Sequence, residues 1–177
     1  MIIKKKNKPK VPTLYTCRLK LRALEWKDLD FLHLLSVNPK VMKYINHGRP
    51  LTREQARRDL NRRMKISNDK YGYWVIERLS DQAFIGWVGL KPLDKSTEIE
   101  IGYRFLESYW GRGYATEAAS CILDYAFRYV KLNKVVAVAL KENQASQRVM
   151  EKCGMEYKKE GVFYGENCVY YELLNTK

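Results

Sequence analysis

No stretch of this chain is apolar for long enough to read as a membrane span, and no apolar run follows the lysines near its start, so a secretory signal is not expected either. Only two histidines occur in 177 residues, and the four cysteines (Cys17, Cys121, Cys153, Cys168) stand far apart with no C-x-x-C pair. Neither a metal site nor a disulfide framework is expected, and the scattered thiols fit a reducing cytoplasm. No Gly-Lys-Ser or Gly-Lys-Thr occurs, which excludes a Walker loop; the one tight glycine run has Thr116 where a dinucleotide fingerprint needs its third glycine. Acidic residues are scarce at first: residues 1–70 carry 19 Lys/Arg against 6 Asp/Glu, while residues 71–177 carry 14 of each. The net charge of +13 therefore belongs to the first part alone. Aromatics are nearly missing from its basic segments, with only Tyr15 in residues 1–16 and none in residues 53–66. Single-stranded RNA binding wants stacking rings among the positive charges, so it is the weaker function here.

What is present suits one α/β domain, with no internal repeat, low-complexity tract or interior linker. Residues 1–16 read as a basic flexible arm, rich in lysine and broken by Pro9 and Pro12; residues 17–177 read as the domain. Alternation over 18–24 predicts a first strand, and Phe31, Leu34 and Leu35 sit at helical spacing in a helix over 26–37. Thr52 and Gln55 form a capping box that opens a helix to about residue 66. Its inner stripe is Ala56, Leu60 and Met64, with Arg53, Arg57, Arg58, Arg62 and Arg63 covering the rest. Strands are predicted over 73–78, 83–90, 98–105 and 134–140, a helix over 114–130, and a closing hairpin of 156–164 with 168–174.

The most informative stretch joins the strand at 98–105 to the helix at 114–130: Trp110-Gly111-Arg112-Gly113-Tyr114-Ala115-Thr116-Glu117-Ala118. Glycines at a strand-to-helix turn leave backbone N–H groups unobstructed at the positive end of the helix dipole, which suits a phosphate or pyrophosphate. The run resembles motif A of the GNAT N-acetyltransferases, [Q/R]-x-x-G-x-[G/A], with Gly113 and Ala115 in the last two fixed places and Trp110 in the first. Together with Ile101-Gly102-Tyr103 it is similar to the RimJ/RimL-type branch. Further on, Asn143-Gln144-Ala145-Ser146 and Met150-Glu151-Lys152-Cys153-Gly154-Met155 resemble a second stretch of the same family. Physically, Asn143 is a good helix N-cap and Gly154 a good residue to end that helix.

The resemblance, which covers roughly residues 18–174, implies a mixed, mostly antiparallel sheet flanked by helices, with two central strands splayed around the arm of acetyl-CoA. It implies that the pyrophosphate rests on the amides of Arg112, Gly113, Tyr114, Ala115 and Thr116. The main chains of Tyr103 and Phe105, and the side chain of Asn143, would meet the pantetheine. Transfer in this family is direct, so Cys153 reads as a packing residue. Many members carry a tyrosine where this chain has Met150, and Ser146 becomes the candidate to protonate the thiolate, although it is also an ordinary first-turn residue. Glu100, ahead of Glu98 and His47, is the candidate base, with a water-mediated path equally open. The implied acceptor is a primary amine, first a protein or peptide N-terminal α-amine, alternatively a polyamine, amino acid or antibiotic. A CoA-binding regulator without activity stays open, as do monomer and homodimer. The basic first part would favour acidic or RNA-associated surfaces by its long-range field, or simply be solvated.

Overall fold

The computed structural model describes residues 10–176. Runs of alternating or continuous Val, Ile, Leu and aromatic residues form eight strands: β1 Leu14–Tyr15, β2 Leu19–Ala23, β3 Gly72–Arg78, β4 Phe84–Pro92, β5 Ile99–Phe105, β6 Lys134–Leu140, β7 Glu156–Phe163 and β8 Glu166–Leu174. They make one sheet in the order β1-β2-β3-β4-β5-β6-β8-β7. Every neighbouring pair is antiparallel except β5 and β6, which run parallel. Five helices flank it: α1 Leu29–Val37, α2 Pro39–Met42, α3 Arg53–Ile66, α4 Tyr114–Arg128 and α5 Gln144–Lys152. No helix among the described residues is long and apolar enough to cross a membrane.

The sheet buries both faces, and β3 shows how. Trp74 and Ile76 point to a core shared with α4 and α5, while Tyr73 and Val75 point to a second core under α1 and α3. Alternation of this kind follows from the two-residue period of a strand. Ala118, Ala119, Ile122 and Ala126 form the buried face of α4, and three alanines there let the helix lie close on the sheet. Burying Ile122 completely is worth about 1.5–3 kcal/mol on its own.

Three expectations change. Residues 10–16 are not a loose arm: Val11 is buried in the core, Pro12 accepts a hydrogen bond from the Trp74 indole at 2.8 Å, and β1 pairs with β2. The apolar residues of this stretch cover the edge that β2 would otherwise expose. Residues 1–9, which hold the first four lysines of the basic arm, lie outside the described residues. In α1 the inward residues are Leu32 and Leu35, whereas Phe31 and Leu34 are exposed, Phe31 stacking on Phe84 at 4.7 Å. In α3 the capping box forms as expected, but Arg63 is turned inward and only 5% exposed. It falls one and two turns beyond Leu60 and Ala56, so it shares their face.

Candidate active site

β5 ends at Phe105, and the chain crosses to α4 through two glycines held at positive φ, Gly111 at 71° and Gly113 at 79°. A side chain in that region costs about 1–2 kcal/mol, so glycine is required for the geometry. Gly113 is the N-cap of α4 and offers no capping side chain, which leaves the first-turn N–H groups without one. A Cβ built on Gly111 would meet nothing within 4 Å, and one on Gly113 would meet only the Arg18 guanidinium at 3.4 Å. The result is an open cradle of backbone donors at a helix N-terminus, which fits a pyrophosphate.

The cradle is braced from three directions that sequence reading missed. The Trp110 indole donates to the Phe105 carbonyl at 2.9 Å, tying the loop to the strand it leaves. Arg18 donates to Glu117 from its backbone at 2.9 Å and from Nε at 2.7 Å, and to the Arg112 carbonyl at 3.1 Å. Its guanidinium lies 4.4 Å over the Tyr114 ring. Thr16 adds a 2.6 Å hydrogen bond to Glu117. An acidic residue in the first turn of a helix was readable as such, but its partners lie about a hundred residues away and carry no local signal.

β5 and β6 touch in register only at Glu100 and Val136; beyond it β5 stays with β4 and β6 with β8. The strands part where the family's sheet is expected to open. Past that point Tyr103 and the start of α5 come together. The Tyr103 hydroxyl donates to the Ser146 carbonyl at 3.0 Å and lies 3.2 Å from the Ser146 hydroxyl. Asn143 caps α5, its side-chain oxygen accepting from the Ser146 amide at 3.2 Å. Burial pushes the Tyr103 phenol well above its ordinary range, so it stays a hydrogen-bond donor. Met150 is packed in the core. Burial also pushes the Cys153 thiol upward, against a weaker pull from Ser120, and its sulfur lies 3.7 Å from the Thr116 carbonyl, the setting of a packing residue. Arg112, Arg148 and Lys152 are exposed.

On the other face of β5 stand Glu100, Gly102 and Arg104. Glu100 is not on a solvated face: it is 5% exposed, ion-paired with Lys91, and accepts from the Tyr164 hydroxyl at 2.6 Å, both on Oε1. Glu98, just ahead of the strand, pairs with Lys134 at 2.6 Å and accepts from Tyr170 at 2.8 Å. Tyr164 and Gly165 form the two-residue turn of the last hairpin, both at positive φ, and this turn carries the phenol over the sheet. His47 pairs with Glu166, linking the turn after α2 to the same hairpin. Trp74 and Trp87 are both core residues, and Trp87 also lies under two guanidiniums, Arg63 at 4.1 Å and Arg104 at 5.3 Å. Those arginines, with Arg58, Arg62 and Asp59, line a cavity of about 370 Å³ between α2, α3 and β5. Among the described residues no cluster of His, Cys, Asp and Glu could hold a metal ion.

Residues 18–156 match the family model for the acetyltransferase (GNAT) domain. Uncharacterized protein YkkB of Bacillus subtilis is 38% identical over 152 residues, covering 82% of this chain and 86% of that protein. The FsC-acetyl coenzyme A-N(2)-transacetylase of Aspergillus fumigatus is 31% identical over 154 residues, which span 82% of this chain but 66% of that longer protein. A GNAT-family acetyltransferase of Bacillus anthracis superposes with a TM-score of 0.81 at 30% identity, covering 94% of this chain and 100% of that one. Similarity extends to the spermidine N(1)-acetyltransferase of Escherichia coli, 29% identical over 80% of this chain and 75% of that protein. RimL, a ribosomal L7/L12 α-N-protein acetyltransferase solved with coenzyme A, shares the fold at a TM-score of 0.78 and 16% identity, over 92% of this chain and 98% of that one. An uncapped glycine cradle, two parallel strands that part beside it and a family match across both place this chain in the GNAT family of acetyltransferases, with acetyl-CoA as its acetyl donor.

Proposed function

We propose that the acceptor is the α-amine of a peptide or protein N-terminus, as in the RimJ/RimL-type branch, and not a polyamine. The observation that carries this reading is the charge of the acceptor side. Arg58, Arg62, Arg63 and Arg104 line the cavity beside β5, and Asp59 is the one acidic residue lining it. A polyamine brings two or more positive charges, and each like-charged pair about 7–8 Å apart costs about 2 kcal/mol at an effective dielectric of about 20. A peptide N-terminus brings one amine, which must lose its proton before it reacts.

Acetyl-CoA supplies an activated thioester, and the residues of this chain bind, orient and move protons around it. The amides of Arg112, Gly113, Tyr114, Ala115 and Thr116 hold the pyrophosphate. The main chains of Tyr103 and Phe105, with Asn143, line the parted strands where the pantetheine arm passes. Tyr103 fixes the Ser146 side chain, and Ser146 donates the proton that the departing thiolate takes up. Glu100, at the parting point and on the acceptor face, takes the amine proton through a water. The four free thiols suit a cytoplasmic protein.

Thiol release from acetyl-CoA, assayed with peptides of varied N-terminal residue, free amino acids and spermidine, tests the reading. Turnover confined to α-amines is the expected result. Preferred turnover of spermidine would overturn it in favour of the polyamine reading that the Escherichia coli relative suggests. Tight CoA binding without turnover of any acceptor would favour a regulator.

A further inference from the structure

The cavity between α2, α3 and β5 holds more positive charge than its own residues neutralise. Asp59 accepts from Arg63 at 2.7 Å and from Arg62 at 2.5 Å, and it is the one carboxylate set against four arginines. Two of those arginines keep a buried nitrogen with no partner at all: Nη1 of Arg63 and Nε of Arg104. Arg104 donates from Nη1 to the Met42 sulfur at 3.6 Å, a weak acceptor. Both guanidiniums lie over Trp87, and Arg63 also lies 4.5 Å from the Tyr73 ring centre. Burial, then the nearby Arg63, lowers the Arg104 guanidinium from its ordinary range, as happens to a charge short of a counter-ion. Leaving a buried donor unmet costs about 1–3 kcal/mol, and more when it is charged.

We propose that this pocket binds a carboxylate of the acceptor against the Arg63 and Arg104 guanidiniums, so that the enzyme selects amines that also carry a carboxylate. Guanidiniums short of acceptors are the groups that a carboxylate satisfies by charge-assisted hydrogen bonds. The position is also right for an acceptor. Arg104 shares a strand face with Gly102 and Glu100, spaced about 7 Å apart along it. A Cβ on Gly102 would meet nothing within 4 Å, so this face is open at Gly102, between Arg104 and the point where β5 and β6 part. An acceptor anchored by its carboxylate at Arg104 extends its amine over Gly102. The carboxylate has two sources, the α-carboxylate of a free amino acid or an acidic side chain near a peptide N-terminus.

The inference rests on the α-amine reading above, and a binding measurement separates the two. The full chain is saturated with CoA, which cannot transfer, and titrated calorimetrically with matched probes: alanine against alaninamide, and Ser-Glu against Ser-Gln tetrapeptide amides. We expect the carboxylate member of one pair to bind at least about tenfold more tightly, a difference of about 1.4 kcal/mol. Which pair responds identifies the source. Arg104→Gln, which keeps one donor and most of the packing length, removes most of the preference. Arg62→Gln at the solvent edge weakens it without touching the core. Equal affinity within both pairs, or no detectable binding of any probe, overturns the pocket assignment. Preference in binding with no acetylation of any α-amine keeps the pocket and overturns the α-amine reading instead.

Discussion

The two faces of the sheet prepare for their ligands by different means. On the α4 side the donors are backbone amides, positioned by two glycines at positive φ and an uncapped helix, with the local charge balanced through Arg18 and Glu117. On the α3 side the donors are guanidinium groups, partly buried over Trp87 and short of acceptors. Backbone donors cost little to hold, because the helix fixes them whether or not a ligand is bound. Side-chain donors must be held by packing, and a charge left uncompensated is a standing cost. The first arrangement suits a co-substrate common to a whole family; the second suits an acceptor particular to one enzyme.

The sharpest way to break this comparison is at the junction of the two sides. Ser146→Ala should lower kcat on the order of 100-fold while leaving the acetyl-CoA dissociation constant unchanged, since general acids contribute about 10²–10⁴. Tyr103→Phe should give a smaller loss, because it removes the group that orients Ser146 and leaves the hydroxyl in place. Pre-steady-state kinetics with a turned-over peptide measures both. An unchanged kcat in Ser146→Ala would assign thiolate protonation to water.

On the α4 side alone, Gly113→Val should raise the KM for acetyl-CoA about tenfold, from strain of about 1–2 kcal/mol at φ 79°. The kcat at saturation should hold, because the acceptor side is untouched. Trp110→Phe keeps the ring but loses the bond to the Phe105 carbonyl, worth about 1 kcal/mol, so its KM should rise about fivefold. A variant that instead altered acceptor selectivity would show that the two sides are mechanically coupled.

The two sides also differed in how far they could be read from the sequence. Gly111, Gly113, the Thr52–Gln55 box and the cap at Asn143 were legible because each is a local backbone rule, met within four residues. The surroundings of Glu98 and Glu100 were not legible because their partners, Lys134, Tyr170, Lys91 and Tyr164, come from other strands and from the hairpin turn. Arg63 was read outward because a charge on a helix is taken as solvent-facing, yet its spacing from Ala56 and Leu60 already put it inside. A long aliphatic stem and two aromatic rings make that burial tolerable. The arginine pocket was therefore hidden by the same habit that made the glycine loop easy to see: patterns report backbone geometry, not the partners a charge will find.

The smallest expected effect is in acid. Burial pushes the Glu117 carboxyl up, but the hydrogen bonds from Thr16 and from the side chain and backbone of Arg18 outweigh it and hold it below the ordinary 4.5. A carboxyl depressed in the folded state contributes stability that is fully present above its unfolded value and is lost as pH falls through the folded one. The brace of the glycine loop should therefore contribute about 1 kcal/mol at neutral pH and fade below pH 4.5. Glu117→Gln removes that contribution at neutral pH and loses little more in acid. Urea midpoints measured from pH 6 down to pH 3 should show wild type and variant converging as the pH drops. Parallel curves across the whole range would mean that the Arg18–Glu117 contact carries no net stability, and that the glycine loop is held by its backbone and Trp110 alone.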